Sequence, residues 1–468
     1  MTKYKKECQQ FRQQLYQNFN KRADTAMELV DALCSYPSAT SPVELTLSPL
    51  FRRTHTALYK SMAETAWEEV PLAELLDRYL PAPKKRSFWL LGVDVTSQPR
   101  QFGRTVADRG FVYQPNLVAG NKPVTTGHQY STLALLPEDE EQVSSSWVVP
   151  LSTARVPTHV DKEQVGARQV NQVLDNPELP WHGELITQVG DSRYSKPAYI
   201  HATHHGRDRL VSILRVRGNR TFYHAYEYPE GERPANRPKH HGEAFKLPDP
   251  QTHKQPDQEA TLTHTSRRGR PITYSIQAWN DMVMPGKNKP ERIPMWQYPF
   301  TLVKITAHYQ DGEPVYAKPI WLIVVGQQRG QLSLVQIFQA YNSRSNLEHF
   351  FRFGKQKLLL TDSQTPVTAR EERWWHLVHI AYAMLWMTRH LAHHLPRPWE
   401  KYLPNVQRRQ MTPTLVRRDA QRLFSQFGTP ALPPQPRGKS PGRKRGTKMP
   451  PRTRYPVIIK GAKQSQVA

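Results

Sequence analysis

The sequence predicts an α/β fold: a mixed sheet with flanking helices, interrupted by a β-rich insertion, preceded by a helical region and followed by a basic tail. Three observations carry this. Apolar runs of strand length alternate with helical periodicity between Phe88 and Val216. Two of those runs close on an aspartate, and ligands of open α/β sheets gather at strand carboxyl ends. The alternation then lapses between Gly218 and about Gly330, in Pro-rich polar sequence, before a helical period resumes at Leu332.

From Phe11 to about Leu80 the pattern is helical, with Phe11, Leu15 and Phe19 at four-residue spacing, then Met27, Val30 and Leu33. Pro37 and Pro42 divide it from a second helical stretch, Val43 to Trp67, which carries Arg52, Arg53 and Lys60. A helical DNA-binding module and an ordinary helical subdomain both fit this composition. At Phe88 the period changes, and Phe88-Trp89-Leu90-Leu91-Gly92-Val93-Asp94-Val95 reads as a buried strand. Strands are expected at Gly110 to Tyr113 and His128 to Leu136, and a helix between Asp161 and Leu174. Next come a strand from Leu185 into Asp191, a short helix around Tyr199 and a strand from Leu210 to Val216. Three strands, helix, strand, helix, strand is an α/β layout with a mixed sheet.

In the insertion, a polar segment carries Arg267-Arg268-Gly269-Arg270, and Phe300 to Tyr309 and Val315 to Val325 flank Asp311-Gly312 as a hairpin would. Helical periodicity then runs to about Leu395, with a break near Pro366. From about Pro430 the chain is Pro-rich and carries Arg437, Lys439, Arg443, Lys444, Arg445, Lys448, Arg452, Arg454, Lys460 and Lys463 with no acid. This reads as a disordered arm that grips phosphates, or as a solubilising tail.

The 468 residues hold 65 Lys and Arg against 40 Asp and Glu, a formal net charge of +25. Such a field favours a polyanion, nucleic acid first and an anionic membrane surface second. The longest apolar stretch, Trp374 to Leu395, is broken by His376, His379, Arg389 and His390, so it reads as a core helix and not a membrane span. No apolar signal segment follows Met1, and a cytoplasmic, nucleoid location is expected. Cys8 and Cys34 are too few for a disulfide framework or a paired-cysteine zinc site. His201, His204, His205, His240 and His241 lack accompanying cysteines and suit a DNA-facing loop as well as a metal. Gly438-Lys439-Ser440 looks like the end of a phosphate loop, but Pro433 stands where its first glycine belongs, so no nucleotide cofactor is expected.

The most informative segment is Tyr341 to Lys355. At about 100° per residue, Tyr341, Arg344, Glu348 and Lys355 fall on one helical stripe roughly 60° wide, while Leu347, Phe350 and Phe353 face the other way. The stripe can be a solvated face with an Arg344–Glu348 pair, or a set of polar groups aimed at a ligand. Asp94 and Asp191 at strand ends, joined by Glu348 from a helix, would give an oxygen-rich site suited to Mg²⁺ or Mn²⁺. Two such ions roughly 4 Å apart serve phosphodiester displacement without a protein nucleophile.

Tyr341-x-x-Arg344-x-x-x-Glu348-x-x-x-x-x-x-Lys355 resembles the Y-x-x-R-x-x-x-E-x-x-x-x-x-x-K signature of prokaryotic insertion-sequence transposases with a DDE triad. Gly92-Val93-Asp94-Val95-Thr96 looks like the first Asp motif of that family, and Val189-Gly190-Asp191-Ser192-Arg193-Tyr194 like the second. The resemblance implies a ribonuclease-H-like catalytic domain, residues 86–217 and 331–365, interrupted by the insertion at 218–330. Residues 1–85 would be a helical domain for DNA ends, 366–428 a helical region for dimerisation, and 429–468 the basic tail. It further implies Asp94, Asp191 and Glu348 as ligands of two Mg²⁺ or Mn²⁺ ions, Tyr341, Arg344 and Lys355 on phosphates of the terminal DNA, and Trp321 stacking on a flipped base. The partners would be double-stranded DNA, as transposon ends and target, and a second copy of the chain in a homodimer. A nuclease of the same fold that does not join ends, and a non-catalytic DNA binder descended from a transposase, are the competing expectations.

Overall fold

The computed structural model describes residues 2–67, 72–114, 122–140, 143, 146–229, 238–266, 269–285, 293–400, 410–436, 438, 442 and 444–460. Arg267, Arg268, Arg437, Lys439, Arg443 and Lys463 of the basic segments lie outside the described residues.

The amino-terminal region holds α1 (Thr2–Asn18), β1 (Phe19–Lys21), α2 (Ala23–Ser35), α3 (His55–Glu64), β2 (Ala66–Trp67) and α4 (Leu72–Leu76). The stretch expected as one helix from Val43 is a 3₁₀ turn at Pro42–Leu47 followed by α3, since Pro49 three residues before Arg52 cannot sit inside a continuing helix. α2 is buried along nearly its whole length. Its Glu28, fully buried, receives Arg52 Nε at 2.7 Å and the Arg53 guanidinium. A buried carboxylate demands such partners, so both arginines serve the fold and are not held out toward a ligand.

The central region runs β3 (Trp89–Pro99), β4 (Gly110–Tyr113), β5 (Val124–Leu135), β6 (Val149–Val156), α5 (Lys162–Leu174), β7 (Ile186–Gly190), α6 (Pro197–His204) and β8 (Leu210–Val216). The sequence pattern does not announce β6, because Pro150 interrupts it. Its place explains the tolerance: among the described strands β6 pairs only with β5, and a proline without an N–H can stand on an edge. β3 pairs antiparallel with β5 and parallel with β7, which in turn pairs parallel with β8.

The insertion contributes β9 (Thr221–Ala225), β10 (His241–Lys246), β11 (Gln258–Thr265), β12 (Pro271–Val283), β13 (Phe300–Tyr309) and β14 (Ile320–Val325). The β13–β14 hairpin turns at Gly312, whose φ of 82° suits glycine. β14 starts at Ile320, five residues later than expected, and pairs with β8. The insertion is therefore continuous with the rest in one twelve-stranded sheet, ordered β10-β9-β12-β13-β14-β8-β7-β3-β5-β4 with β11 on β12 and β6 on β5.

Helices α7 (Leu334–Ser343), α8 (Ser345–Lys357), α9 (Thr368–Thr388) and α10 (Pro413–Phe427) follow. α9 is the hub of the core: Trp374, Trp375 and Trp386 are buried, and Trp375 stacks on Tyr130 of β5 at 4.0 Å. Each such side chain removed from water is worth about 1.5–3 kcal/mol. Cys8 and Cys34 are free and buried, each thiol donating to an α9 carbonyl at 3.1 Å. Among the described residues no helix is long and apolar enough to cross a membrane.

The tail departs from the expected disordered arm at both ends. Arg52 and Arg53 donate to Leu432 O, and Leu432 N donates to Asp24. Farther on, Tyr455 N and Ile458 N donate to Arg104 O and Arg109 O, while Lys460 Nζ reaches Asp161 at 3.2 Å. These anchors are hydrogen bonds through the tail's main-chain groups and one ion pair, which leave no apolar periodicity in the sequence.

Candidate active site

The parallel register of β3 and β7 pairs Gly92 with Val189. Two residues beyond that last parallel pair come Asp94, still within β3, and Asp191, in the turn after β7, close enough for the Asp191 charge to act on Asp94. Because side chains alternate along a strand, Gly92, Asp94 and Thr96 share one face of β3. A Cβ on Gly92 would meet Leu347 Cδ1 at 2.8 Å and Leu136 Cδ1 at 3.0 Å. Glycine there lets α8 settle directly on that face.

α8 brings the remaining groups. Arg344 Nη1 donates to Asp94 Oδ2 at 3.1 Å and Nη2 to Glu348 Oε1 at 2.7 Å, so one guanidinium spans two carboxylates. Lys355 Nζ donates to Thr96 Oγ1 at 2.7 Å. The single helix expected from Tyr341 to Lys355 is two helices that meet at Arg344. The junction is tightened, with Arg344 N bonded to Tyr341 O at 3.1 Å and Leu347 N to Arg344 O at 3.0 Å, both three-residue steps. Arg344 keeps right-handed helical dihedrals, so the polar stripe survives the break.

The electrostatics follow from depth. The Asp94 side chain is 18 % exposed and that of Glu348 57 %. Burial pushes the Asp94 carboxyl up to about 6; Asp191 adds to the rise, while Arg344, the Val95 N–H and Lys162 oppose it. Burial also pulls the Lys355 ammonium below the ordinary lysine range. Asp191 is held by its own turn, where Oδ1 accepts from Arg193 N at 2.8 Å and its carbonyl from Tyr194 N at 3.1 Å.

Tyr194 is a residue the site uses that composition and periodicity do not single out. It is buried, and Cβ atoms added at Gly190 and Gly166 would meet its ring at about 3 Å. Wedged between β7 and α5, it fixes the turn that carries Asp191. Its signal in the sequence is the pair of glycines, each at a point of close approach.

Two expected ligand contacts fare differently. Tyr341 is buried, with the Arg344 guanidinium 6.0 Å from its ring centre. Trp321 is 4 % exposed in β14, against Phe245, His253 and Trp279, with Lys304 Nζ over its ring. No base can reach its face: an apolar strand in mid-sheet takes a tryptophan as packing. An exposed tryptophan of the insertion is Trp296, stacked on His240 at 4.1 Å.

Three hard carboxylate donors suit Mg²⁺ or Mn²⁺ in kind. Among the described residues, however, no three acidic, imidazole or thiol groups stand close enough to hold an ion; Arg344 lies between Asp94 and Glu348.

Asp94 within β3, Asp191 just after β7 and Glu348 on α8, the first and last linked through Arg344, thus form an acidic cluster over the sheet, although the expected first strand runs on past Asp94 to Pro99. The chain belongs to the DDE superfamily endonuclease family, whose model matches residues 14–285. The match takes in Asp94 and Asp191 and ends before Glu348. No curated protein matches the sequence. Among solved structures, the chain is similar to one described as the cryo-EM structure of piggyBac transposase synaptic complex with hairpin DNA, at 12 % identity and a TM-score of 0.40 over 87 % of this chain and 73 % of that one.

Proposed function

We propose that this protein is a DDE transposase that cuts DNA at the ends of its element and joins those ends to target DNA. The observation that carries the reading is that Asp94 and Asp191 both follow the last β3–β7 pair by two residues, with Glu348 tied to Asp94 through Arg344. The strand order β6-β5-β3-β7-β8, with β3, β7 and β8 parallel, supports a ribonuclease-H-like catalytic core over 86–217 and 331–365.

In this reading Asp94, Asp191 and Glu348 would hold two Mg²⁺ or Mn²⁺ ions. When bound, such ions activate the attacking water or hydroxyl and stabilise the leaving oxygen. Asp94 and Asp191, fixed by β3 and the Tyr194 turn, set the position of the scissile phosphate relative to the sheet. Arg344 and Lys355, on the same helical stripe, grip flanking phosphates by charge-assisted hydrogen bonds and orient the strand. Tyr341 supports Arg344 from beneath. The net charge of +25 supplies the long-range attraction for duplex DNA, and a homodimer would bridge two ends.

The test uses duplex DNA carrying the sequences that flank the gene. Asp191→Asn and Glu348→Gln should each lower metal-dependent cleavage by a factor of about 10³ or more while leaving duplex binding within a few-fold of wild type. Cutting at near wild-type rates by either variant refutes the triad. Cleavage without joined products assigns the nuclease alternative, and metal-independent binding with no 3′-OH ends assigns the non-catalytic one.

A further inference from the structure

The contact between Arg344 and the two carboxylates carries a consequence for how the site is filled. The guanidinium does not sit bidentate on one acid; it uses one nitrogen for Asp94 and another for Glu348, and so occupies the space between them. Its side chain is only 16 % exposed, which places the positive charge inside the cluster and not at its rim. Asp94 is mostly withdrawn from water and faces the charge of Asp191, so a cation close by favours its ionised form. Removal of Arg344 with nothing in exchange would leave the ionised Asp94 carboxylate desolvated and without this ion pair.

We propose that Arg344 and a divalent cation are alternative occupants of the space between Asp94 and Glu348, so that drawing the Arg344 guanidinium onto a DNA phosphate opens the site to the ion. This rests on the reading of Asp94, Asp191 and Glu348 as metal ligands. The junction between α7 and α8 gives the exchange a structural basis. Arg344 sits at the tightened step between the two helices, capping the end of one and the start of the other, and so belongs to the interior of neither. On the Glu348 side the pair is exposed and spaced i, i+4, a contact of little net worth that is easily surrendered. By linkage, whatever factor DNA-phosphate capture adds to metal affinity, metal adds to capture of the phosphate. The arrangement weakens binding of the catalytic ion to the DNA-free protein, without abolishing it, and strengthens it when the substrate is bound.

The experiment is Mn²⁺ binding to the DNA-free full chain, read from the electron paramagnetic resonance signal of free Mn²⁺. Arg344→Ala and Arg344→Gln should bind Mn²⁺ at least tenfold more tightly than wild type. Lys162→Ala, which removes another charge acting on Asp94, should change affinity less than threefold. Adding Asp94→Asn to Arg344→Ala should abolish the gain. In the wild-type protein, where folding of a variant is not at issue, millimolar Mg²⁺ should speed phenylglyoxal modification of Arg344 at least threefold, followed by mass spectrometry of its peptide. If Mn²⁺ binding depends on Asp94 but neither Arg344 variant tightens it, or if Mg²⁺ leaves the modification rate unchanged, the exchange is wrong and the metal site stands. If the double variant binds as tightly as Arg344→Ala, the metal site itself is wrong.

Discussion

Asp94→Asn should make the protein more stable at neutral pH while removing its chemistry. Each tenfold change in a carboxyl's proton affinity on folding is worth roughly 1.4 kcal/mol. For Asp94, raised from 3.8 to about 6, ionisation therefore costs the native state about 3 kcal/mol at most. Asparagine keeps an oxygen for the Val95 N–H but carries no charge to desolvate and none to repel Asp191. The value of about 6 already contains the attraction of Arg344, so the expected gain is up to about 3 kcal/mol. The sign with pH follows from linkage. Between about 4 and 6 the native state holds a proton at Asp94 that the unfolded chain has released, so wild-type stability falls as pH rises through this window. The advantage of Asp94→Asn should therefore be full above about pH 7 and vanish below about pH 4. Thermal unfolding in EDTA reads it, at on the order of 1 °C per kcal/mol for a chain of this length. A lower melting temperature for Asp94→Asn at neutral pH would refute the argument that burial dominates this carboxylate.

Three further outcomes test the surroundings. Gly92→Ala should push Leu347 away and tilt α8, costing about 1–3 kcal/mol and lowering cleavage more than folding; Leu347→Ala in the same chain should recover part of the activity, and a double-mutant cycle in cleavage rate checks this. Trp321→Ala should destabilise by about 3–5 kcal/mol as a core deletion, seen in thermal melts, with no selective loss of any DNA-processing step. Lys355→Ala should weaken duplex binding and reduce the slope of log affinity against log salt by about one; an unchanged slope in a titration from low to moderate salt would put Lys355 away from the DNA.

The sheet that carries the aspartates is legible in the sequence because a buried strand such as the start of β3, Trp89-Leu90-Leu91-Gly92-Val93, is a short apolar run that meets a charged residue abruptly. The stripe of Arg344, Glu348 and Lys355 is legible because helical angles survive small irregularities. The helix junction is not, since Ser343-Arg344-Ser345 contains neither proline nor glycine to announce it. β6 hides behind Pro150, which only an edge position excuses. Trp321 shows the limit of composition: Ile320-Trp321-Leu322-Ile323-Val324 is equally consistent with a strand in mid-sheet and with one offering its aromatic face, and only the strands on both sides decide. Nor could Arg52 and Arg53 reveal from sequence that Glu28, twenty-odd residues away, claims them.

The union of β14 with β8 has a mechanical corollary. A lobe joined to its neighbour by two loops can swing like a gate, but one joined by a ladder of main-chain hydrogen bonds moves only as the whole sheet flexes. Force applied at the far end of the insertion would arrive at the strands beneath Asp94 and Asp191 as torsion, spread over many bonds and softened at each.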